Sequence, residues 1–300
     1  MFKKSTWLHL RIPFSYFLLP IFLWAISASP NLNELGLAGL FVILHFFIYP
    51  ASNAFNSFYD KDEGSIGGLK NPPKVDKNVL YIAQAFDTIG LLITQLLFNN
   101  LTLTLMIFVY VLVSRAYSHP SIRLKKYPIV SWLIAGFFQG TWVVWIVYIG
   151  LNDFELTTLL KPKVLYAGLL ASAVLWGSYP MTQIYQHDED SKRGDRTLSI
   201  LLGVKNTFIF TGLFFGLATL GYIVYFDSFY SIQYGYVFLA YMAPVVGFFG
   251  WWFLKALKNE EAVNFSNTMR LNFISATCLG AFFVYFFLNS TQVLNVVGVY

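Results

Sequence analysis

Apolar residues in this chain come in long runs, and polar residues gather in short clusters between them. A helix needs about 20 mostly apolar residues to cross a bilayer. Segments 12–29, 35–58, 79–98, 101–117, 129–151, 165–186, 207–226, 234–257 and 271–289 answer to that description. The pattern therefore predicts an all-α integral membrane protein with nine transmembrane helices. The break at Asn99–Asn100 is so tight that the third and fourth helices should form a hairpin. The first 30 residues, with basic residues, an apolar centre and a small-residue end, mimic a signal peptide. With eight further apolar runs behind them, a retained first helix is the simpler reading.

Composition narrows the class. Of 300 residues, 57% are hydrophobic and only 12% charged, against about 25% charged in soluble domains. No interval between apolar runs is long enough for a soluble domain, so residues 1–300 read as one polytopic membrane domain. The single cysteine, Cys278, lies inside an apolar run and can form neither an internal disulfide nor a thiolate metal cage. It reads as a packing residue.

Charge tests the helix count. Lys and Arg collect in cytoplasmic loops. With the N-terminus inside, eighteen of the 20 basic residues fall on the inner side, and only Lys161 and Lys163 fall outside. The net charge of +5 is thus a topology signal, and no nucleic-acid partner is implied. Membrane lipid is the expected surrounding; oligomeric state stays open.

The polar clusters contain a repeat. Adding 130 to each number of YPASNAFNSFYDKDEG (49–64) gives YPMTQIYQHDEDSKRG (179–194) without a gap. Tyr49 and Pro50 meet Tyr179 and Pro180; Asn53 meets Gln183; Asn56 meets Gln186; Asp60 meets Asp190; Gly64 meets Gly194. The chain thus divides into pseudo-repeated halves around a central cavity. The first is about 12–117 with motif 53–64, the second about 129–257 with motif 183–194, and the ninth helix is about 271–289. Sites in such proteins sit at repeat interfaces. Spacings of 3, 4 and 3 put Asn53, Asn56, Asp60 and Glu63 on one helical face, and Gln183, Gln186 and Asp190 share another. Pro50 and Pro180, one turn earlier, are expected to kink both helices toward a shared cavity.

Charged helix ends are common at a membrane surface, where water and headgroups are near. Two clusters repeated in register, with amides reaching two turns into the helix, ask for more than that. Asp60, Asp62 and Glu63 would face Asp188, Glu189 and Asp190, and facing acids repel unless a cation lies between them. Carboxylates and amide oxygens suit Mg²⁺, which completes its shell with water and phosphate oxygens. Lys61, Lys70, Lys74, Lys192, Arg193 and Arg196 lie nearby. Acids, a divalent ion and bases together describe a diphosphate site.

At these residues the chain resembles the UbiA family of intramembrane prenyltransferases. The first family motif, N-D-x-x-D-x-x-x-D, matches at Asn56 and Asp60. Ser57 replaces the second-position Asp and Gly64 the last, with Asp62 or Glu63 as substitutes. The second, D-x-x-x-D followed by Gly and Thr, matches at Asp190, Gly194 and Thr197, with Gln186 in place of the first Asp. The segment YSHPSIRLKKYP is similar to the family's loop after helix four and matches at Tyr117, Arg123 and Lys125. The resemblance covers essentially the whole chain and points to a divergent branch. It implies Mg²⁺-dependent transfer of a prenyl group from an isoprenyl diphosphate to a lipophilic acceptor, on the cytoplasmic side of the cell's inner membrane. The expected metal ligands are Asn56, Asp60, Asp62, Glu63, Asp188 and Asp190. Asn56, Asp60, Asp190, Arg123 and Lys125 are the expected catalytic set, with Lys61, Tyr117, Gln186, Lys192 and Arg196 on the diphosphate. A terpene cyclase of the same fold, or a non-catalytic isoprenoid binder, would use the same features. His45, Gln139, Tyr148, Trp132, Trp142, Trp145 and Trp176 read more readily as packing or interhelical contacts, and His187 as a neighbour of the site.

Overall fold

The structure, a computed structural model, describes residues 3–31 and 33–291. Among the described residues, nine helices are long and apolar enough to cross a membrane. They are Lys4–Ala28, Glu34–Asp60, Lys77–Phe98, Leu101–Ser118, Pro128–Asn152, Pro162–Gln183, Leu198–Phe229, Ile232–Lys258 and Phe265–Ser290, termed the first to ninth helices below. Side chains such as Leu96, Leu213 and Val246 stand well exposed on the outer surface. A soluble protein does not tolerate such a surface, and a bilayer requires it.

Polar residues stop and start the spans. Asn99, in the left-handed region at φ 46°, ends the third helix. The Asn100 side chain caps the fourth by accepting from the Leu103 N–H. Two residues thus make the predicted hairpin. Asn33, Asp76, Thr197, Ser231 and Asn264 cap the second, third, seventh, eighth and ninth helices in the same way.

Four spans are interrupted: the seventh at Gly203, which leaves helical geometry at φ 72°, and the first, second and fifth by local causes. The first begins as a short helix, Lys4–Leu8, turns at Arg11 (φ 48°), and passes through the 3₁₀ segment Ile12–Leu18 before Leu19–Ala28. Pro13 lacks an N–H, which suits it to the start of that segment and to no helix interior. In the second helix, the π-helical stretch Ile43–Ile48 precedes Pro50. A widened turn relieves the clash between the proline ring and the preceding turn. The fifth helix breaks at Gly140 because the backbone of the sixth passes against it. A Cβ on Gly140 would lie 2.6 Å from Ser172 Cα, and the Ser172 hydroxyl instead accepts the Thr141 N–H at 2.9 Å.

The core gathers on Trp24, fully buried and surrounded by Tyr222, Tyr225 and Phe283 at centroid distances of 5.1 Å. Its indole N–H donates to the Ala167 carbonyl at 2.8 Å, tying the first helix to the sixth. Trp132, Trp142 and Trp176 likewise donate to main-chain carbonyls of neighbouring helices. His45 is buried, with Nδ1 3.2 Å from the Phe41 carbonyl and its ring stacked on Phe41. Arg115, counted with the loop charges in the sequence, lies inside the fourth helix. Its guanidinium pairs with Asp87 of the third helix and covers the Phe55 ring of the second at 4.0 Å. That buried pair holds the second helix where its polar end faces the centre of the molecule.

Candidate active site

A polar chamber of about 250 Å³ lies where the second, fourth and sixth helices end. An apolar chamber of about 280 Å³ adjoins it between the helices. Phe14, Tyr110, Gln139 and Tyr179 line both, so the two adjoin. The inner walls carry Ile21, Val174, Phe238, Met242 and Leu279.

The chamber's acids come from two distant segments of chain. The second helix ends at Asp60, because Lys61 turns into the left-handed region (φ 51°). Glu63, expected on the same helical face, is therefore off the helix and exposed. The sixth helix ends at Gln183; the chain turns through Ile184–Gln186 and resumes as a short helix, His187–Lys192. One continuous helical stripe was expected there. Pro180 disturbs the ladder on its N-terminal side, whereas the break comes after it. Gln183, Gln186 and Asp190 nonetheless all line the chamber, opposite Asn56, Asp60 and Asp62.

Three bases interleave with the acids. Lys125 is paired with Asp60 and lies 3.5 Å from Asp195. Arg193 spans Asp62 and Asp190, joining the two repeat motifs. Arg123 grips Asp195 with two hydrogen bonds of 2.9 and 2.8 Å and stands 3.8 Å from Asp60. Burial drives the Asp195 carboxyl toward neutrality, but the Arg123 hydrogen bonds and the charges of Lys125, Arg123 and Arg193 outweigh it and hold the group below the usual carboxylate range. Asp190 goes the other way. Burial, opposed by Lys125 and reinforced by Asp195, Asp60 and Glu189, pushes it up to about 7.

Several neighbours fix this geometry. Asn56 donates through Nδ2 to Ser118 Oγ at 3.0 Å, which leaves its amide oxygen to the chamber. Tyr117 and Tyr179 share a hydroxyl hydrogen bond across the chamber wall. Gln186 donates to the Ser65 carbonyl at 3.1 Å. Glu189 accepts the N–H groups of Glu63 and Gly64 at 2.8 and 2.7 Å, clipping one motif to the other. Gly64 is explained by that contact: a Cβ there would lie 2.8 Å from a Glu189 oxygen. An Asp in its place would meet a carboxylate.

Of the residues singled out in the sequence, Asn56, Asp60, Asp62, Tyr117, Lys125, Gln186 and Asp190 meet at the chamber, and Arg123 touches it through Asp195. Lys61, Glu63, Asp188, Lys192 and Arg196 stand exposed outside it. His187 hydrogen-bonds Ser199 at 2.8 Å and does not line the chamber. Arg11, Gln183 and Asp195 line it without having been singled out as site residues. Asp195 sits between Arg193 and Arg196 and reads locally as a solvated charge run. Arg11 interrupts the first apolar run beside a proline, a signal that registered only as topology.

The donor set decides what cation suits the chamber. Asp60, Asp62 and Asp190 contribute carboxylates, and Gln183 Oε1 is a buried oxygen with no protein partner. Among the described residues, no three His, Cys, Asp or Glu side chains converge on one point. An all-protein cage is thus not built. Hard oxygen donors in ones and twos fit an ion that takes the rest of its shell from water and phosphate oxygens, which is the habit of Mg²⁺.

The UbiA prenyltransferase family matches residues 17–274. The chain belongs to that family. No curated protein matches the sequence. Among solved structures, the fold is shared with a UbiA homologue from Archaeoglobus fulgidus bound to GPP and Mg²⁺. That likeness has 15% identity, 96% of this chain and 99% of that one covered, and a TM-score of 0.65. The same homologue bound to DMAPP and Mg²⁺ gives 16% identity, 97% and 100% coverage, and 0.67. A digeranylgeranylglyceryl phosphate synthase gives 18%, 96% and 98%, and 0.59. These identities speak for the UbiA fold. Within it, this chain has an acid-lined chamber, with Ser57, Gly64 and Gln186 at three positions of its two motif segments. The Ser57 side chain is buried and does not line the chamber.

Proposed function

We propose that this protein transfers a prenyl group from an isoprenyl diphosphate to a lipophilic acceptor within the membrane. The observation that carries the reading is a polar chamber of interleaved acids and bases adjoining an apolar one. A diphosphate with a greasy tail has that division of character. The relatives bound to GPP and DMAPP with Mg²⁺ support the same assignment. The two motif segments would act as the matched prongs of a duplicated fold, and the site would face the cytoplasm, since the basic loops lie on its side of the molecule.

Asp60 and Asp190, with Asn56, Asp62 and Gln183 near them, would hold Mg²⁺ directly or through water. What the ion supplies when bound is neutralisation of the diphosphate oxygens. Lys125 and Arg193 would exchange part of their hold on carboxylates for diphosphate oxygens, and Arg123 would keep Lys125 in place through Asp195. As the C1–O bond breaks, its electron pair leaves with the diphosphate, and these fixed cations stabilise the growing charge. The acceptor's nucleophilic atom then bonds to C1 and gives up a proton. The apolar chamber would take the prenyl tail and exclude water. Tyr110, Phe14 and Tyr179, which line both chambers, would offer aromatic rings near the allylic carbon.

Asp60→Ala and Asp60→Asn should each lower Mg²⁺-dependent diphosphate release by about 10²-fold or more, with the helical circular dichroism spectrum unchanged. Turnover at the wild-type rate in both variants would remove the assignment. Mass spectrometry of membrane lipids with and without the protein would identify the acceptor, and a labelled isoprenyl diphosphate cyclised without any acceptor would show a cyclase instead.

A further inference from the structure

Arg193 sits between two acids that are both candidate metal ligands. Its terminal nitrogens pair with Asp62 of the first motif segment and Asp190 of the second. Its Nε lies 3.5 Å from Asp195. All four side chains line the polar chamber. The side chains of Asp62, Asp190 and Asp195 are only 6, 9 and 2% exposed. Buried carboxylates that close together need a counter-charge, and the chain supplies one of its own.

Local structure puts the guanidinium there. The short helix ends at Lys192, and Arg193, three residues after Asp190, follows as its cap. Gly194 then turns the chain at φ 76°, and the Asp195 N–H bonds the Asp190 carbonyl at 2.9 Å. The two motif segments do not depend on Arg193 alone for their spacing, because Glu189 also clips the second to the main chain of the first. Arg193 can therefore let go of its acids without the prongs falling apart. It also has somewhere to go: a planar fork that matches carboxylate oxygens matches diphosphate oxygens equally well.

A guanidinium and a divalent ion repel each other, and Mg²⁺ needs its oxygens in close, near-octahedral array. The two compete for Asp62 and Asp190. We propose that Arg193 is a resident counter-ion that holds these carboxylates in the free protein and releases them to Mg²⁺ when a diphosphate takes over its guanidinium. The inference rests on the prenyl-transfer reading and adds to it the order in which the site fills. The free protein keeps its site assembled without metal, and metal and diphosphate load together.

The full chain in detergent is titrated calorimetrically with Mg²⁺ alone, and then with a thiolo analogue of geranyl diphosphate in Mg²⁺. Thermal unfolding is followed in EDTA and in Mg²⁺. Arg193→Gln should bind Mg²⁺ alone about tenfold or more tighter than wild type, and the analogue about tenfold or more weaker. A residue that merely braced the site would weaken both together on removal. Wild type should unfold at nearly the same temperature in EDTA and in Mg²⁺. Arg193→Gln should unfold earlier in EDTA and recover most of the loss in Mg²⁺. Arg193→Lys, whose ammonium cannot fork across two carboxylates, should move each reading the same way by less; where Arg193→Gln yields no folded protein, it carries the test. Unchanged or lowered Mg²⁺ affinity in the variants overturns the proposal. So does a loss of stability that Mg²⁺ does not repair, or a wild type that Mg²⁺ alone stabilises as strongly as the variants. A wild type that fails to bind the analogue sinks the prenyl-transfer reading, while the Mg²⁺ and unfolding arms still decide whether Arg193 is the resident counter-ion.

Discussion

Asp190 and Asp195 sit five residues apart and do opposite work. Asp195, ionised and gripped by Arg123, orients cations; removing its charge leaves the half-buried Arg123 with only the more distant Asp60, 3.8 Å away. Asp195→Asn should cost about 3 kcal/mol of stability, measured by thermal unfolding in detergent. Being held below the ordinary carboxylate range, Asp195 adds stability that is present above pH about 4 and lost as pH falls through its folded value. Asp190, pushed up to about 7, binds a proton in the folded chain that the unfolded chain has released. Its contribution therefore weakens the fold as pH rises from about 4 toward 7. A cation that uses Asp190 must displace that proton below pH 7. Apparent Mg²⁺ affinity should thus fall about tenfold for each pH unit below 7, and Asp190→Asn should flatten the dependence. A slope that persists in Asp190→Asn would assign it to another group.

The helical elements were legible because length and apolarity alone set them, and the caps at Asn99–Asn100 followed from residue type. Interruptions were less so. Pro50 and Pro180 mark where the second and sixth helices weaken, but the π-helical stretch before one and the outright break after the other depend on what packs alongside. Nothing near Gly140 in the sequence announces that Ser172 lies against it. Filling that contact should be expensive: Gly140→Ala should destabilise the protein by about 1–3 kcal/mol, whereas Gly247→Ala, where a Cβ meets nothing within 4 Å, should cost far less. The second helix carried Asn56 and Asp60 to the chamber as their spacing suggested, whereas Gln186 and Asp190 reach it from a turn and a separate short helix. Glu63 missed it because the second helix stops at Asp60, and Asp188 because it lies two residues from Asp190 and so on another face of its short helix. Asp195 and Arg11 were invisible as site residues because their partners are 72 positions away in one case and 42 and 56 in the other.

At the scale of the whole molecule, two motifs 130 residues apart in the chain converge on one chamber, with Arg193 and Glu189 as cross-links between them. The loops that carry Lys74 and Lys126 should lie on one side of the membrane and Lys161 on the other. Single cysteines at 74 and 161 in a Cys278→Ser background should therefore react with an impermeant maleimide from opposite sides of oriented vesicles. Labelling of both from one side would break the nine-helix arrangement. The central claim is that the converging motifs clamp a cation against an isoprenyl diphosphate. Calorimetric titration of the purified protein with a non-hydrolysable thiolo analogue of geranyl diphosphate tests it most directly. The account predicts one site per chain, filled in Mg²⁺ and lost both in EDTA and in the Asp60→Asn, Asp190→Asn double variant. Binding of equal strength under all three conditions would contradict it.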